Sequence, residues 1–139
     1  MPANDREIVE NTIPVLAVAD VPASIRFYCD KLEFKLDWQG DADPPHIASV
    51  SRDGHPIMLQ LRRPAAPGCV WVGMSGLLSL WERVRSSTGV AVVQRPTNQR
   101  YALEMKIRDP DGNILWIGTE PMTNFPFGQE LADAQDLVE

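Results

Sequence analysis

The sequence predicts an α+β protein of two tandem βαβββ units forming one curved mixed sheet, with the helices on its convex side. Three observations carry that prediction. Apolar residues are spaced as strand, helix, strand, strand, strand, and then the same order follows again. Sliding the first half by 56 residues lays 58–61 on 114–117, apolar on apolar at three of four positions, and Asp53 on Asp109. Finally, 139 residues suffice for one well-buried core but not for two ordinary domains. Two units too small to bury a sheet face alone must therefore share a core.

Residues 12–18 (TIPVLAV) are a short apolar, β-branched run, hence the first strand. Asp20 then stands as a helix N-cap, with Pro22 in the first turn. Ile25, Tyr28, Cys29 and Leu32 follow at i, i+3, i+4 and i+7, the apolar face of a helix of about three turns. Residues 33–40 alternate Phe34, Leu36 and Trp38 with Lys35, Asp37 and Gln39, the period of a half-buried strand. Beyond the turn-forming GDADPP, strands at 46–51 and 56–62 flank Arg-Asp-Gly-His. Asp53-Gly54 supplies the positive φ that a tight hairpin requires. Pro56 lacks an N–H and belongs at the start of its strand or on an edge.

After the linker 63–68 the order repeats. Residues 69–74 read as a strand, and 75–86 as a helix with Leu77, Leu80, Trp81 and Val84 on one face. Strands follow at 89–94, 100–108 and 113–120, with the polar RPTNQR before Tyr101. A single domain is expected over 1–120, with units at 11–62 and 68–120. Residues 121–139 are expected to be a C-terminal tail, either loosely ordered or a short helix laid on the surface.

Composition is that of a soluble globular chain, 44% apolar and 23% charged. The net charge of −6 argues against nucleic acid, which needs a basic stripe, and leans weakly toward a cationic small molecule. No apolar run approaches the ~18 residues of a membrane helix. The N-terminus lacks the basic and apolar regions of a signal peptide. Cys29 and Cys69 share no motif spacing, which suits a reduced cytosolic pair. The expectation is a cytoplasmic protein with no nucleic-acid or membrane partner.

Two stretches, IPVLAVADVPASIRFYCDKLEF and IRDPDGNILWIG, resemble the glyoxalase/bleomycin resistance/dioxygenase (vicinal oxygen chelate) superfamily over roughly residues 11–120. Within it, PVLAVADV, FYCDKLEFKLDW, VWVGMSGLLSLW and RYALEMKIRDPDGN are most similar to bleomycin resistance proteins. That resemblance implies the glyoxalase/bleomycin resistance fold. It also implies a cytosolic homodimer that holds a bleomycin-type glycopeptide in grooves at the dimer interface, without converting it. The loop before ALEMKIRDP normally offers an aromatic to the antibiotic, and Tyr101 stands there where Trp is usual. Trp38 matches another aromatic, and Asp37 beside it matches an acid.

The superfamily's enzymes hold a divalent metal with ligands from the first and last strands of each unit. By the same resemblance, those positions are Ile13, Gln60, Cys69 and Trp116. Ile13 and Trp116 cannot ligate, Gln60 offers a neutral amide oxygen, and Cys69 suits a softer metal. His55 falls in the Asp-Gly turn as a solvated residue, and His46 opens a strand that can face the groove. Glu104 and Lys106 share one sheet face, as a cross-face ion pair or as solvated charges. No phosphate loop, nucleophile elbow or His-Glu-x-x-His is present. No metal, cofactor or catalytic residue is expected.

The aromatics divide by position. Trp81, on the apolar face of the second helix, belongs to the core. Trp71 either lines the groove or lies between sheet and helix. Trp38 and Tyr101 sit at loop–strand junctions where they can flank a planar ligand. Trp116 fills the space a metal would need and floors the groove. The expected ligand-binding residues are Asp37, Trp38, His46, Gln60, Trp71, Tyr101, Glu104 and Trp116. The expected function is non-catalytic sequestration of an antibiotic or related metabolite. The alternatives are a glyoxalase- or dioxygenase-type enzyme with an atypical metal site, or a binder of another planar metabolite.

Overall fold

The computed structural model describes residues 6–131. The first unit contains β1 (Val15–Val18), α1 (Val21–Arg26), β2 (Lys35–Gln39), β3 (Ile47–Arg52) and β4 (His55–Leu61). The second contains β5 (Cys69–Gly73), α2 (Leu77–Arg85), β6 (Ala91–Asn98), β7 (Leu103–Arg108) and β8 (Ile114–Thr119), followed by β9 (Gln129–Glu130). Backbone hydrogen bonds divide the strands between two mixed sheets, β1-β4-β3-β2 and β5-β8-β7-β6-β9, rather than running through one. In each unit the first strand is parallel to the last and the other pairs are antiparallel. The shift of 56 relates Met58 to Ile114 in the last strands. In the first strands Val15 corresponds to Cys69 instead, since these are the parallel partners of Met58 and Ile114.

Asp20 caps α1 as expected, its Oδ1 accepting from the Ala23 N–H at 3.0 Å. The helix then widens into a π-helical turn over Phe27–Lys31. That extra width rotates the buried face away from a 3.6-residue template. Val21, Ser24, Phe27, Tyr28 and Leu32 are buried, whereas Ile25 and Cys29 are only partly so. In α2 the expected face holds: Leu77, Leu80, Trp81 and Val84 are all buried. Both units contribute to one hydrophobic cluster.

The Asp-Pro-Asp-Gly-Asn turn joins the units. Asp109, 3% exposed, accepts from the Tyr28 hydroxyl, the Asn113 side-chain amide, and the backbone N–H groups of Asp111 and Asn113, each at 2.9 Å. Asn113 Nδ2 also donates to the Ala17 carbonyl at 3.0 Å, and Asp111 accepts from the Ala19 N–H at 2.9 Å. Burial, with the charge and hydrogen bond of Asp109, pushes the Tyr28 hydroxyl far above its ordinary pKa. It therefore remains a donor.

Three local expectations change. β2 is exposed along its whole length, not half-buried, because it is a sheet edge with a register irregularity between Leu36 and Trp38. Only Phe34, just before it, packs against the core. The polar RPTNQR is not wholly a loop: β6 runs through Pro96 to Asn98, with register shifts between Val92 and Gln94 and between Gln94 and Thr97. Residues 121–131 are neither loose nor helical. Buried Asn98 accepts from the Met122 N–H at 2.8 Å and donates to the Met122 and Phe125 carbonyls, both at 3.0 Å. β9 then pairs with β6, and Leu131 enters the core. The rest of the expected tail, 132–139, lies outside the described residues.

Candidate ligand-binding face

On the second sheet Trp71 and Trp116 are direct partners on parallel strands, so both side chains emerge from one face. Their rings meet edge to face, 5.0 Å between centroids. Gly118, two residues beyond Trp116, makes room for Trp71. A Cβ at Gly118 would stand 2.8 and 2.9 Å from Trp71 Cζ2 and Cζ3, and closer still to Cη2. The indole thus lies against the β8 backbone while remaining 47% exposed. Of the two places open to Trp71, the outward one is occupied.

Glu104, on neighbouring β7, holds the cluster together. Its Oε1 accepts from Trp116 Nε1 at 2.9 Å and from the Tyr101 hydroxyl, and its Oε2 accepts from Gln94 Nε2 at 2.9 Å. At 2% exposure it is a buried acceptor, not a solvated charge or one half of an ion pair with Lys106. Burial pushes its carboxyl pKa up, but the donors Tyr101, Gln94 and Trp116, with the Lys106 charge, more than offset this and hold it below its ordinary value. The same hydrogen bond raises the Tyr101 pKa. Lys106 Nζ sits 5.2 Å from the Trp116 ring centroid, and the Tyr101 ring, on a largely exposed side chain, is 6.5 Å from Trp116.

Trp71, Tyr101, Glu104 and Trp116 therefore form one connected group. Asp37, Trp38, His46 and Gln60 belong to the first sheet or its margin, and among the described residues no hydrogen bond links them to one another. Asp37 accepts from Ser51 Oγ at 2.8 Å and Ser49 Oγ at 3.3 Å. Trp38 is exposed on edge strand β2, and His46 is exposed just before β3. Gln60, half-buried on β4, pairs with Ala17 and Ile47. Sequence reasoning missed Gln94 and Gly118. A glycine inside a strand signals a close approach; Gln94, in a run of mixed polarity, offers no comparable signal.

A cleft of about 520 Å³ opens beside Trp71, lined by Phe34, Arg52 and Pro56 of the first unit and Val70, Trp71 and Met74 of the second, among others. The Arg52 guanidinium is engaged by the Leu32 carbonyl, Glu33 and Asp53.

The donor set does not fit the metal of the superfamily's enzymes. Ile13 precedes β1 and is not opposite Gln60, whose partner is Ala17. Cys69 pairs with Ile114 and Trp116 with Trp71. Among the described residues, no three His, Cys, Asp or Glu side chains gather where they could hold a metal ion. No described helix is long and apolar enough to cross a membrane.

Paired βαβββ units, with an aromatic face on the second sheet, define a class of small two-unit α+β proteins. The chain belongs to the glyoxalase/bleomycin resistance protein/dioxygenase superfamily, whose family model matches residues 12–117. Similar solved structures share the fold. TioX from Micromonospora sp. ML1 is 15% identical with a TM-score of 0.70, over 81% of this chain and 99% of that one. TnmS3, an antibiotic-binding protein from Streptomyces sp. CB03234, is 20% identical with a TM-score of 0.69, over 84% and 99%. The bleomycin-binding protein of Streptomyces verticillus, solved with copper(II)-bleomycin, is 23% identical with a TM-score of 0.65, over 84% and 100%. No curated protein matches the sequence.

Proposed function

We propose that this chain is a non-catalytic cytoplasmic binder that sequesters a planar antibiotic or related metabolite, with a bleomycin-type glycopeptide as the first candidate. The carrying observation is the aromatic face itself: Trp71 half-exposed and edge-on to Trp116, with Trp116 and Tyr101 both held by Glu104. Stacking on such a surface contributes about 0.5–1.5 kcal/mol per ring pair beyond burial. Asp37, Trp38, His46 and Gln60 supply polar and aromatic contacts from the first sheet, with Asp37 suited to a basic group. The existence of fold relatives that bind antibiotics supports this reading.

The groove is proposed to form between two copies of the chain. Val15, Leu36 and Trp38 leave the first sheet with exposed apolar side chains, which a second copy would cover. Calorimetry with bleomycin and its copper complex tests the ligand. Heat at micromolar protein, weakened in Trp71→Ala and Tyr101→Ala, is expected. Absence of heat, with both variants indistinguishable from wild type, removes bleomycin. A thermal-shift panel of other planar natural products then tests the wider class. Sedimentation as a monomer at high concentration would exclude the two-copy groove.

A further inference from the structure

We propose that the open face of the second sheet takes a planar aromatic group bearing an anionic substituent, the ring on Trp71 and the anion on Lys106. This rests on the binding function above and specifies the flat end of its ligand. The chain carries a net charge of −6, yet the charged side chains that β7 leaves accessible on this face, Lys106 and Arg108, are positive, while the Glu104 carboxylate on the same face is buried. Strand alternation sends Glu104, Lys106 and Arg108 of β7 to the side that carries Trp116.

Glu104 does not meet the ligand. It is buried, and both its oxygens are occupied by Tyr101, Trp116 and Gln94. It is a positioning residue that orients two rings. Lys106 is only half-buried, lies over the Trp116 ring, and among the described residues forms no ion pair with a carboxylate. Arg108, two positions on, is exposed. An anion beside a ring stacked on Trp71 reaches Lys106 and Arg108 directly, whereas the opposing Glu104 charge lies behind the rings and its own hydrogen bonds, so the balance of Coulomb interaction favours the anion over a cation.

Three probes with one ring system separate these effects: anthracene-2-carboxylate, anthracene-2-carboxamide and anthracen-2-ylmethylammonium. Tryptophan quenching and calorimetry on the full chain read the affinities. The carboxylate is expected to bind about tenfold more tightly than the ammonium at low salt, with the gap narrowing in high salt. Lys106→Met should remove most of the charge preference, leaving what Arg108 supplies, and should weaken the carboxylate more than the carboxamide. Trp71→Ala should weaken all three probes.

Equal or tighter binding of the ammonium, an undiminished preference in Lys106→Met, or no binding by any probe overturns the proposal. Binding of copper-bleomycin without binding of the carboxylate would leave the binding function standing and this inference refuted. A carboxylate preference without a bleomycin signal would do the reverse for bleomycin.

Discussion

Gly118→Ala is the most direct test of the aromatic face, because it adds one methyl group at the point the Trp71 indole occupies. That Cβ would approach two indole carbons to 2.8 and 2.9 Å, with a third closer. Carbon atoms pack at about 3.5–4.0 Å, so the ring must retreat by about 1 Å or more. β8 is anchored between β5 and β7, so the half-exposed indole yields first. Leaving its position breaks the edge-to-face contact with Trp116, worth about 0.5–1.5 kcal/mol. The expected cost is about 1 kcal/mol of stability, or roughly 2–6 °C in Tm. Affinity for a ring stacked on Trp71 should fall about tenfold. Urea denaturation, near-UV circular dichroism of the indole pair and ligand titration measure the three effects. Gly73→Ala is the control, since its Cβ would meet Trp71 Nε1 at an ordinary 3.6 Å, and it should stay within about 0.5 kcal/mol of wild type. If Gly118→Ala matches wild type in stability, dichroism and affinity, Trp71 does not lie where its role requires.

Three further outcomes are expected. Glu104→Ala should cost about 2 kcal/mol, more than Glu104→Gln, because it strips the acceptor from three donors; urea midpoints compare them. The folded-state pKa of Glu104 is lowered, so its contribution is present above the ordinary carboxylate value of about 4.3 and disappears as pH falls through the lowered value. Tyr101, raised by the same bond, contributes below its ordinary value of about 10 and loses that contribution as pH rises through the raised one. Glu104→Gln should erase its part of the acid limb in a stability–pH profile. Asp109→Ala should cost about 3 kcal/mol or more and Tyr28→Phe about 1 kcal/mol, with strong coupling in a double-mutant cycle; additivity would refute the lock between the units. Asn98→Ala should speed amide exchange over 121–131 and cost about 2 kcal/mol, because three bonds from one buried amide hold that segment; unchanged exchange would count against it.

Residues whose environment is set by their immediate neighbours in sequence were legible. Asp20 caps α1, Asp53 and Gly54 turn the β3–β4 hairpin with positive φ, and the buried face of α2 is the one its spacing names. The candidate site was legible in part. Trp71, Tyr101, Glu104 and Trp116 could be named as candidates, but not the Glu104 bond to Trp116, the Gln94 bond to Glu104 or the room Gly118 leaves for Trp71, because these contacts run across strands. β2 was misread because periodicity reports alternation and cannot report that a strand is an edge. α1 drifted from its template because a π-helical turn leaves no periodic mark in a segment this short.

By itself, the sequence determined the tandem βαβββ order, the family likeness, and the absence of ligating side chains at Ile13 and Trp116. Those properties follow from local pattern and from side-chain chemistry that no fold can alter. Tertiary structure decided the rest: two sheets in place of one, residues 121–131 tied to the second sheet through Asn98 and β9, and Asp109 as a bolt between units. It also converted Glu104 from a surface charge into the buried acceptor of an aromatic face. Each of these depends on which strands become neighbours, and strand pairing is set by packing across the whole chain.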